Sequence, residues 1–415
     1  MSDLIATFRN RALVTLMLGH FTVDSYVGLL PVLFPLLIGR FHLNLETVGL
    51  VTLAYVGMSS VSQPIFGLLA DRWGTRFTGL ALVWTAATFA AVGFAPSFQW
   101  LLAIAFASGA GSAAFHPLGA LTVRRLLPKR GASTAMSIYV TGGTVGLAAG
   151  PIIGIVAFGL FGMRGTALML LPGLVIAAVL LFAMRRTPDS VTRAALQKSA
   201  ARRVAMVPLL ATIGVMASRS WTVVTLQAFT PTWYHQLGYS PWFYGPLVTT
   251  LVMASAVGTV GCGTLADRFG RRTVILFSLV LSIPAVLLFV LFPGPLGFLW
   301  AVLLGALAAS TAPLMLMLAQ ELMAGRAGLA SGLIMGLGFV AGAIGVPVTG
   351  AVADHLGLQI GLGLQVLVVV ITIPIALLLP SEAMLGRLRS HPAAASPAGL
   401  PAGDLAPRPA GPTVR

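Results

Sequence analysis

His20 and Asp24 stand four residues apart inside one long apolar run, so on a helix the two side chains share a face. A carboxylate whose surroundings alternate between a dry pocket and a cationic neighbour can take up and release a proton, which makes Asp24 a candidate proton-coupling residue with His20 beside it. The competing reading is a structural one, in which Asp24 pairs with His20 or Arg219 only to hold helices together. Arg219 is permanently charged and also lies in an apolar run. It either binds a phosphonate or carboxylate bidentately or serves as the counter-ion of Asp24.

His116 and Gln63 form a weaker signal. Each lies eight residues from the charged end of its run, at Arg124 and Asp71, and His20 lies nine past Arg11. At 1.5 Å per residue all three sit about 12 Å from one boundary, a level at which they could line a cavity. His116 could titrate near neutral pH. Alternatively, His116 and Gln63 bond the carbonyls freed by Pro117 and Pro64. Gln227, Thr222 and Tyr139 are further candidates for polar groups in a cavity.

Soluble-enzyme chemistry is absent from the pattern. The chain shows no paired catalytic carboxylates, no nucleophile–base arrangement, no metal-ligand spacing and no Gly-x4-Gly-Lys-Ser/Thr loop. Cys262 is alone, which excludes an internal disulfide. The expectation is no enzyme, no cofactor and no metal.

The elements that must position these residues are membrane helices. Hydrophobic residues make up 57% of the chain and charged ones 8%, with strongly positive mean hydropathy. Apolar runs long enough to cross a ~30 Å hydrocarbon core recur along nearly the whole length, and the ~10-residue alternation of a barrel is not seen. The net charge of +15 reads as topology and not as a nucleic-acid partner. Of the 25 basic residues, 22 fall in every second loop or at the ends, and only Arg40, Arg164 and Arg219 depart from that pattern. This positive-inside distribution puts both termini in the cytoplasm, with an even number of spans, as in a multi-pass protein of the bacterial inner membrane. The run from Arg11 to Ile38 is too long for a signal peptide and carries Asp24, so it reads as a retained first helix.

Twelve helices are expected: Ala12–Ile38, Glu46–Ala70, Phe77–Ala95, Phe98–Val123, a fifth ending at Phe158 and a sixth over Gly165–Met184. The second six run Ala205–Tyr234, Trp242–Ala266, Thr273–Phe292, Gly297–Met323, Gly328–Ala353 and Leu358–Leu379. Residues 1–184 and 205–380 thus form two six-helix bundles joined by a polar cytoplasmic linker, 185–204. The Ala/Pro/Gly-rich tail, 381–415, is too poor in core-forming residues to fold and is expected to be disordered. Trp233, Tyr234, Tyr239, Trp242 and Tyr244 flank an outer loop and suggest an interfacial aromatic belt. Glu321, near Arg326, suggests a boundary salt bridge.

The two halves are copies. The turn Gly67-Leu-Leu-Ala-Asp71-Arg72-Trp-Gly74-Thr-Arg76 returns as Gly263-Thr-Leu-Ala-Asp267-Arg268-Phe-Gly270-Arg-Arg272, with 196 residues from Asp71 to Asp267. The same offset pairs Pro35 with Pro231, Gly49 with Gly245, Gly109 with Gly305, Pro117 with Pro313, Arg130 with Arg326, Gly146 with Gly342, Pro151 with Pro347 and Gly154 with Gly350. Glycine and proline set close contacts and kinks, so their repetition is the repetition of a backbone shape. Duplicated six-helix halves are the build of secondary transporters. The turns then read as a gate: Asp71, Arg72, Arg76 and Arg130 in one half and Asp267, Arg268 and Arg272 in the other would hold the cytoplasmic side closed.

The two turns resemble the signature loops of the major facilitator superfamily, over roughly residues 10 to 380. His20-Phe-Thr-Val-Asp24, Ser59-Ser-Val-Ser-Gln63-Pro64 and Gly111-Ser-Ala-Ala-Phe-His116-Pro117 resemble its fosmidomycin-resistance branch. The run Gly146-x-x-x-Gly150-Pro151-x-x-Gly154 resembles a motif associated with antiporters. The chain departs from the pattern at Ala105, where drug exporters commonly carry Arg, and at Leu118, where the branch often carries an acidic residue. The resemblance implies an all-α integral membrane protein of twelve helices that exports a small, often anionic antibiotic or metabolite, driven by proton entry. Proton-symport uptake of an organic anion is the alternative, and a membrane receptor or scaffold a more distant one. The expected partners are a small molecule, protons and the lipid bilayer, with no nucleic acid, and the expected state is a monomer.

Overall fold

The computed structural model describes residues 11–73, 77–126, 132–184, 205–323 and 327–390. They form α1 (Arg11–Phe41), α2 (45–73), α3 (Thr78–Ala91), α4 (Phe98–Leu126), α5 (Ala132–Phe161) and α6 (Leu170–Met184). The second set is α7 (Met206–Gln236), α8 (Pro241–Phe269), α9 (Arg271–Leu291), α10 (297–322), α11 (Ala327–Leu356) and α12 (Leu358–Ala376). Ten stretches are long and apolar enough to span a membrane; one of them, Tyr139–Phe182, contains most of α5 and all but the end of α6, and α3 is shorter. Among the described residues the twelve expected helices of an all-helical multi-pass membrane protein are therefore present, with ends within a few residues of those expected. The linker 185–204 lies outside the described residues.

Three local features were not legible from hydropathy. α2 and α10 each contain a five-residue π segment, Leu53–Gly57 and Gly305–Ala309, and a 3-10 stretch, Gly162–Met169, leads into α6. Beyond α12, residues 382–390 form a further helix, α13 (Glu382–Ser390), where the expected tail was to begin at Ser381. Its Leu385 is buried among α7–α12 side chains, and Arg271 pairs with its Glu382, so an apolar contact and an ion pair hold it. Residues 391–415 lie outside the described residues.

The duplication holds in space. A Cβ added to Gly109 would meet the Tyr55 carbonyl, and one added to Gly305 would meet the Leu251 carbonyl; both members of each pair differ by 196. Between the halves, a Cβ on Gly49 would lie 2.9 Å from Pro347 Cα, and one on Gly245 would lie 3.6 Å from Pro151 O. These contacts are again related by the same offset. α2 therefore packs on α11 as α8 packs on α5. The glycines of the antiporter-like run serve a contact within the first half: Gly150 abuts Gly28 and Gly146 abuts the Phe21 backbone, drawing α1 onto α5.

The halves touch at one end and part at the other. The largest core unites both: Leu33, Phe34 and Val48 with Phe229, Tyr234 and Val346, all toward the end away from the repeated turns. Toward the basic end each half has its own core, one around Leu13, Phe115 and Leu180, the other around Val215, Ile275 and Leu318. Along α11 the approach to α2 weakens from Pro347 through Ala343 to Gly336, 3.8 Å from Ser60 O, and a Cβ on Gly332 would touch nothing. The chain is thus closed opposite the basic turns and open between the halves on their side. The aromatic belt needs correction: Trp233, Tyr234 and Tyr244 are buried in the closing core, with Trp233 and Tyr234 in edge contact at 5.1 Å, and Trp242 points outward.

Candidate functional site

Asp24 lies in the middle of α1, and both of its oxygens are engaged. Oδ2 is 3.3 Å from Nε2 of His20, one turn earlier, and Oδ1 is 3.1 Å from Nε2 of His116 on α4. Both rings are pinned from behind. His20 Nδ1 is 2.8 Å from the Tyr139 carbonyl, and His116 Nδ1 is 2.7 Å from the Ser112 carbonyl. A carbonyl oxygen can only accept, so both Nδ1 atoms carry hydrogen, and a neutral ring then turns a bare Nε2 toward a carboxylate oxygen. Each of the two contacts becomes a hydrogen bond only when a proton occupies it. With both protons the triad carries two imidazolium charges against one carboxylate, one net positive; without them it carries one net negative.

Tyr139 on α5 completes the wall. Its ring stacks on His20 at 4.3 Å between centroids, and its hydroxyl lies 3.5 Å from the His116 carbonyl. Two glycines make room: a Cβ on Gly143 would come 2.5 Å from both Asp24 Oδ2 and His20 Nε2, and one on Gly119 would strike the Tyr139 hydroxyl. The Asp24 and His116 side chains keep 20% and 27% of their surface accessible, so protons can reach a group set at mid-helix. The donor atoms of His20, Asp24 and His116 lie within 4.8 Å of one another. The fold thus assembles three potential metal ligands that the sequence spacing did not reveal.

His116 bonds the Ser112 carbonyl through Nδ1, one residue before the Ala113 carbonyl that Pro117 leaves free, and reaches Asp24 through Nε2, a partner not expected for it. Gln63 is half-buried on α2 beside Pro64, and its side chain is not part of the triad. Gln227 lines a small cavity between the halves with Gly28, Pro31, Thr52, Pro151 and Val248, at the closed end of the opening.

Arg219 requires a correction. It does not face Asp24 across the interface; it is 6% exposed, and its guanidinium donates to the Leu307 carbonyl in the π segment of α10. Around it stand Ser218 and Thr222 of α7, Leu279 and Ser282 of α9, and Thr372 of α12, a chamber inside the second half. The repeat contained the reason. Arg219 is equivalent to Val23, a core residue, and the equivalent of Asp24 is Ser220. One residue along a helix is a turn of about 100°, so neighbouring positions at nearly the same depth face different ways. The second half also lacks the triad, with Met216, Ala312 and Met335 at the positions of His20, His116 and Tyr139.

At the basic end, the side chains of Asp71 and Arg72, and all of Arg76 and Arg130, lie outside the described residues. Asp267 and Arg268 are exposed, Arg268 lying 5.3 Å from the centre of the Phe269 ring, and Arg272 donates to the Leu377 carbonyl at 2.6 Å. The residue missed is Arg271, 3.0 Å from Glu321 of α10 and 3.1 Å from Glu382 of α13. Its signal was a difference between the copies, Thr75 against Arg271. Glu321 therefore pairs with Arg271; Arg326, its expected neighbour, lies outside the described residues.

A second missed group is at the closed end. Asp354 on α11 accepts from the backbone N–H of Leu45 at 2.7 Å and of Glu46 at 2.9 Å, while Asn44 accepts from Thr47 at 2.8 Å. One carboxylate of the second half thus caps the first turn of α2 in the first half.

Comparison with known proteins agrees with this architecture. The family model described as Major Facilitator Superfamily matches residues 16–262 and 247–410. The chain is 31% identical to the uncharacterized MFS-type transporter YfnC of Bacillus subtilis, over 89% of this chain and 93% of that one. It is 26% identical to the fosmidomycin resistance protein of Escherichia coli, over 83% and 86% respectively. A bacterial homologue of the human lysosomal transporter Spinster, solved inward-facing and unoccupied, superposes with a TM-score of 0.75 at 16% identity, covering 92% of this chain and 97% of that one. Two six-helix halves related by one sequence offset, and a family match across nearly the whole chain, make this protein a member of the major facilitator superfamily.

Proposed function

We propose that this transporter is a proton-coupled exporter of a small organic solute, an antibiotic or metabolite, working by alternating access in a bacterial inner membrane. The observation that carries the reading is the triad: two histidines with Nδ1 committed to backbone carbonyls present both Nε2 atoms to one carboxylate. Its charge changes by two units on loading, enough to alter the balance between the open and closed arrangements of the halves. The basic character of the repeated turns supports a cytoplasmic position for them, and in that proposed orientation the open side faces inward. Solute would enter between the halves, past Gln63 and His116, toward Gln227 and Tyr139. The similarity to a fosmidomycin resistance protein, and over 39% of this chain to a multi-drug resistance efflux pump of Streptococcus pneumoniae, supports export; resistance and efflux are what those relatives' names state, and export is proposed here for this chain.

A second reading is favoured by the position of Arg219. With that guanidinium inside the second half, the charged cluster facing the opening is the triad, and its loaded form is positive. A positive triad attracts an organic anion together with protons, which is symport, whereas exchange of solute for protons suits a cationic or neutral solute on the unloaded, negative triad. Proteoliposomes under an imposed proton gradient separate the two. Exchange drives solute opposite to the proton flux, symport drives it along with the protons, and solute flux indifferent to the gradient would remove proton coupling altogether.

A further inference from the structure

We propose that Arg219 holds a small monovalent inorganic anion, of chloride size, in the chamber between α7, α9, α10 and α12. The site lies inside the second half and is independent of the proton triad.

A guanidinium stays charged in any dielectric, and a buried charge needs a partner of opposite sign. Among the described residues none of the carboxylates supplies one. Asp24 is clamped between two histidines of the first half, Asp354 caps α2 at the closed end, and Glu321 and Glu382 are committed to Arg271 at the basic end. Glu46 and Asp267 belong to helix ends as well. Within hydrogen-bond reach Arg219 has one neutral carbonyl, that of Leu307, with the Cys262 thiol of α8 nearby and bonded to Ser310 at 3.1 Å, while its Nε–H is buried without a partner.

That guanidinium borders a cavity of about 10 Å³, room for one water-sized particle. Size selects the ligand. A carboxylate, phosphonate or phosphate group does not fit, so the substrate itself is excluded from this position. Water fits and could bond Nε–H, but it leaves the charge uncompensated; a halide ion, somewhat larger than water, bonds Nε–H and compensates the charge, and the chamber must widen slightly to take it. Ser218 and Thr222 bond carbonyls of their own helix at 3.0 and 3.2 Å, at the long end of the range, so their hydroxyls can turn and donate inward. Leu307 belongs to the π segment, whose altered hydrogen bonding turns a carbonyl toward the guanidinium from the opposite side.

The test uses the purified full-length protein at constant ionic strength, with chloride exchanged for gluconate, an anion too large for the chamber. Returning chloride or bromide is expected to raise the unfolding midpoint saturably, by about 2 °C. Ala308→Val, which narrows the chamber and keeps Arg219, is expected to weaken half-saturation at least roughly ten-fold, and Arg219→Met to abolish the saturable response. If Arg219→Met fails to fold, Ala308→Val decides alone. A wild-type midpoint that shows no saturable halide dependence, or the same half-saturation in Ala308→Val, would overturn the proposal and leave the chamber to water.

Discussion

Arg219 sits one residue before the equivalent of Asp24 on the duplicated framework, and that offset sends the two side chains into separate chambers. Two buried opposite charges at one depth invite pairing; these instead belong to separate halves, Asp24 to a histidine pair and Arg219 to a carbonyl of α10. A double-mutant cycle on Asp24→Asn and Arg219→Met, read by thermal unfolding, is therefore expected to be additive within about 0.5 kcal/mol. A larger coupling energy would restore the ion pair that the structure replaces.

The triad gives a prediction about number. Each histidine contributes one proton-bridged contact to Asp24, at 3.1 and 3.3 Å. His116→Asn removes one contact and leaves the His20 contact standing, so the number of protons moved per solute is expected to fall from two to one. Asp24→Asn removes both and is expected to abolish concentrative flux while exchange down a gradient persists. Measuring the pH difference that just balances a known solute gradient reads the ratio directly. The same ratio in wild type and His116→Asn would sink the two-proton assignment. A chelator provides the control against the metal alternative, since flux carried by protons is expected to be unchanged in its presence.

Gly143 tests the packing behind that chemistry. A methyl group there would come 2.5 Å from both Asp24 Oδ2 and His20 Nε2, and the backbone of α5 holds it in place. Gly143→Ala is expected to push the carboxylate off its partners and lower proton-driven flux by roughly ten- to a hundred-fold. Gly39→Ala, where an added Cβ meets nothing within 4 Å, is the matched control and is expected to transport normally. Equal flux in the two variants would mean that the close approach of α5 is irrelevant to coupling.

How much of this was legible beforehand follows from what each signal encodes. Hydropathy and the 196-residue offset carry helix number and pairing, because spans and backbone contacts repeat; Gly49–Pro347 and Gly245–Pro151 are the same contact twice. The offset also carries orientation, since Val23 is a core residue and Arg219 shares its place on the repeated framework. His116 was suspected from its position beside Pro117, whereas its partner was not, because the crossing of α1 and α4 is a property of packing. The burial of Trp233 and Tyr234 escaped for a similar reason: a belt and a closed seam have the same composition, and only the state of the halves distinguishes them. Arg271 and Asp354 stand where the first half has Thr75 and Phe158, so the repeat marks them only as differences and leaves their partners to packing.

Asp354 leads to the last prediction. At the closed end a carboxylate crosses between the halves, the cap Asp354 places on the N–H groups of Leu45 and Glu46, in addition to the neutral Thr249 hydroxyl that donates to the Ala148 carbonyl at 2.7 Å. A carboxylate at a helix N-terminus contributes about 1 kcal/mol, roughly five-fold in an equilibrium constant. Here that stabilisation exists only while α2 and α11 touch, so it belongs to the closed seam and disappears when the seam opens. Asp354→Ala is thus expected to shift the protein toward opening at the end away from the basic turns. A cysteine placed at Val48, buried in that seam, should react with a membrane-impermeant thiol reagent about five-fold faster in the variant than in the Asp354 background. The native Cys262 is buried near the other end and is replaced by Ala in both. Unchanged reactivity would mean that apolar packing of Gly49 on Pro347 closes the seam by itself, and that the cap orders the start of α2 without setting which side is open.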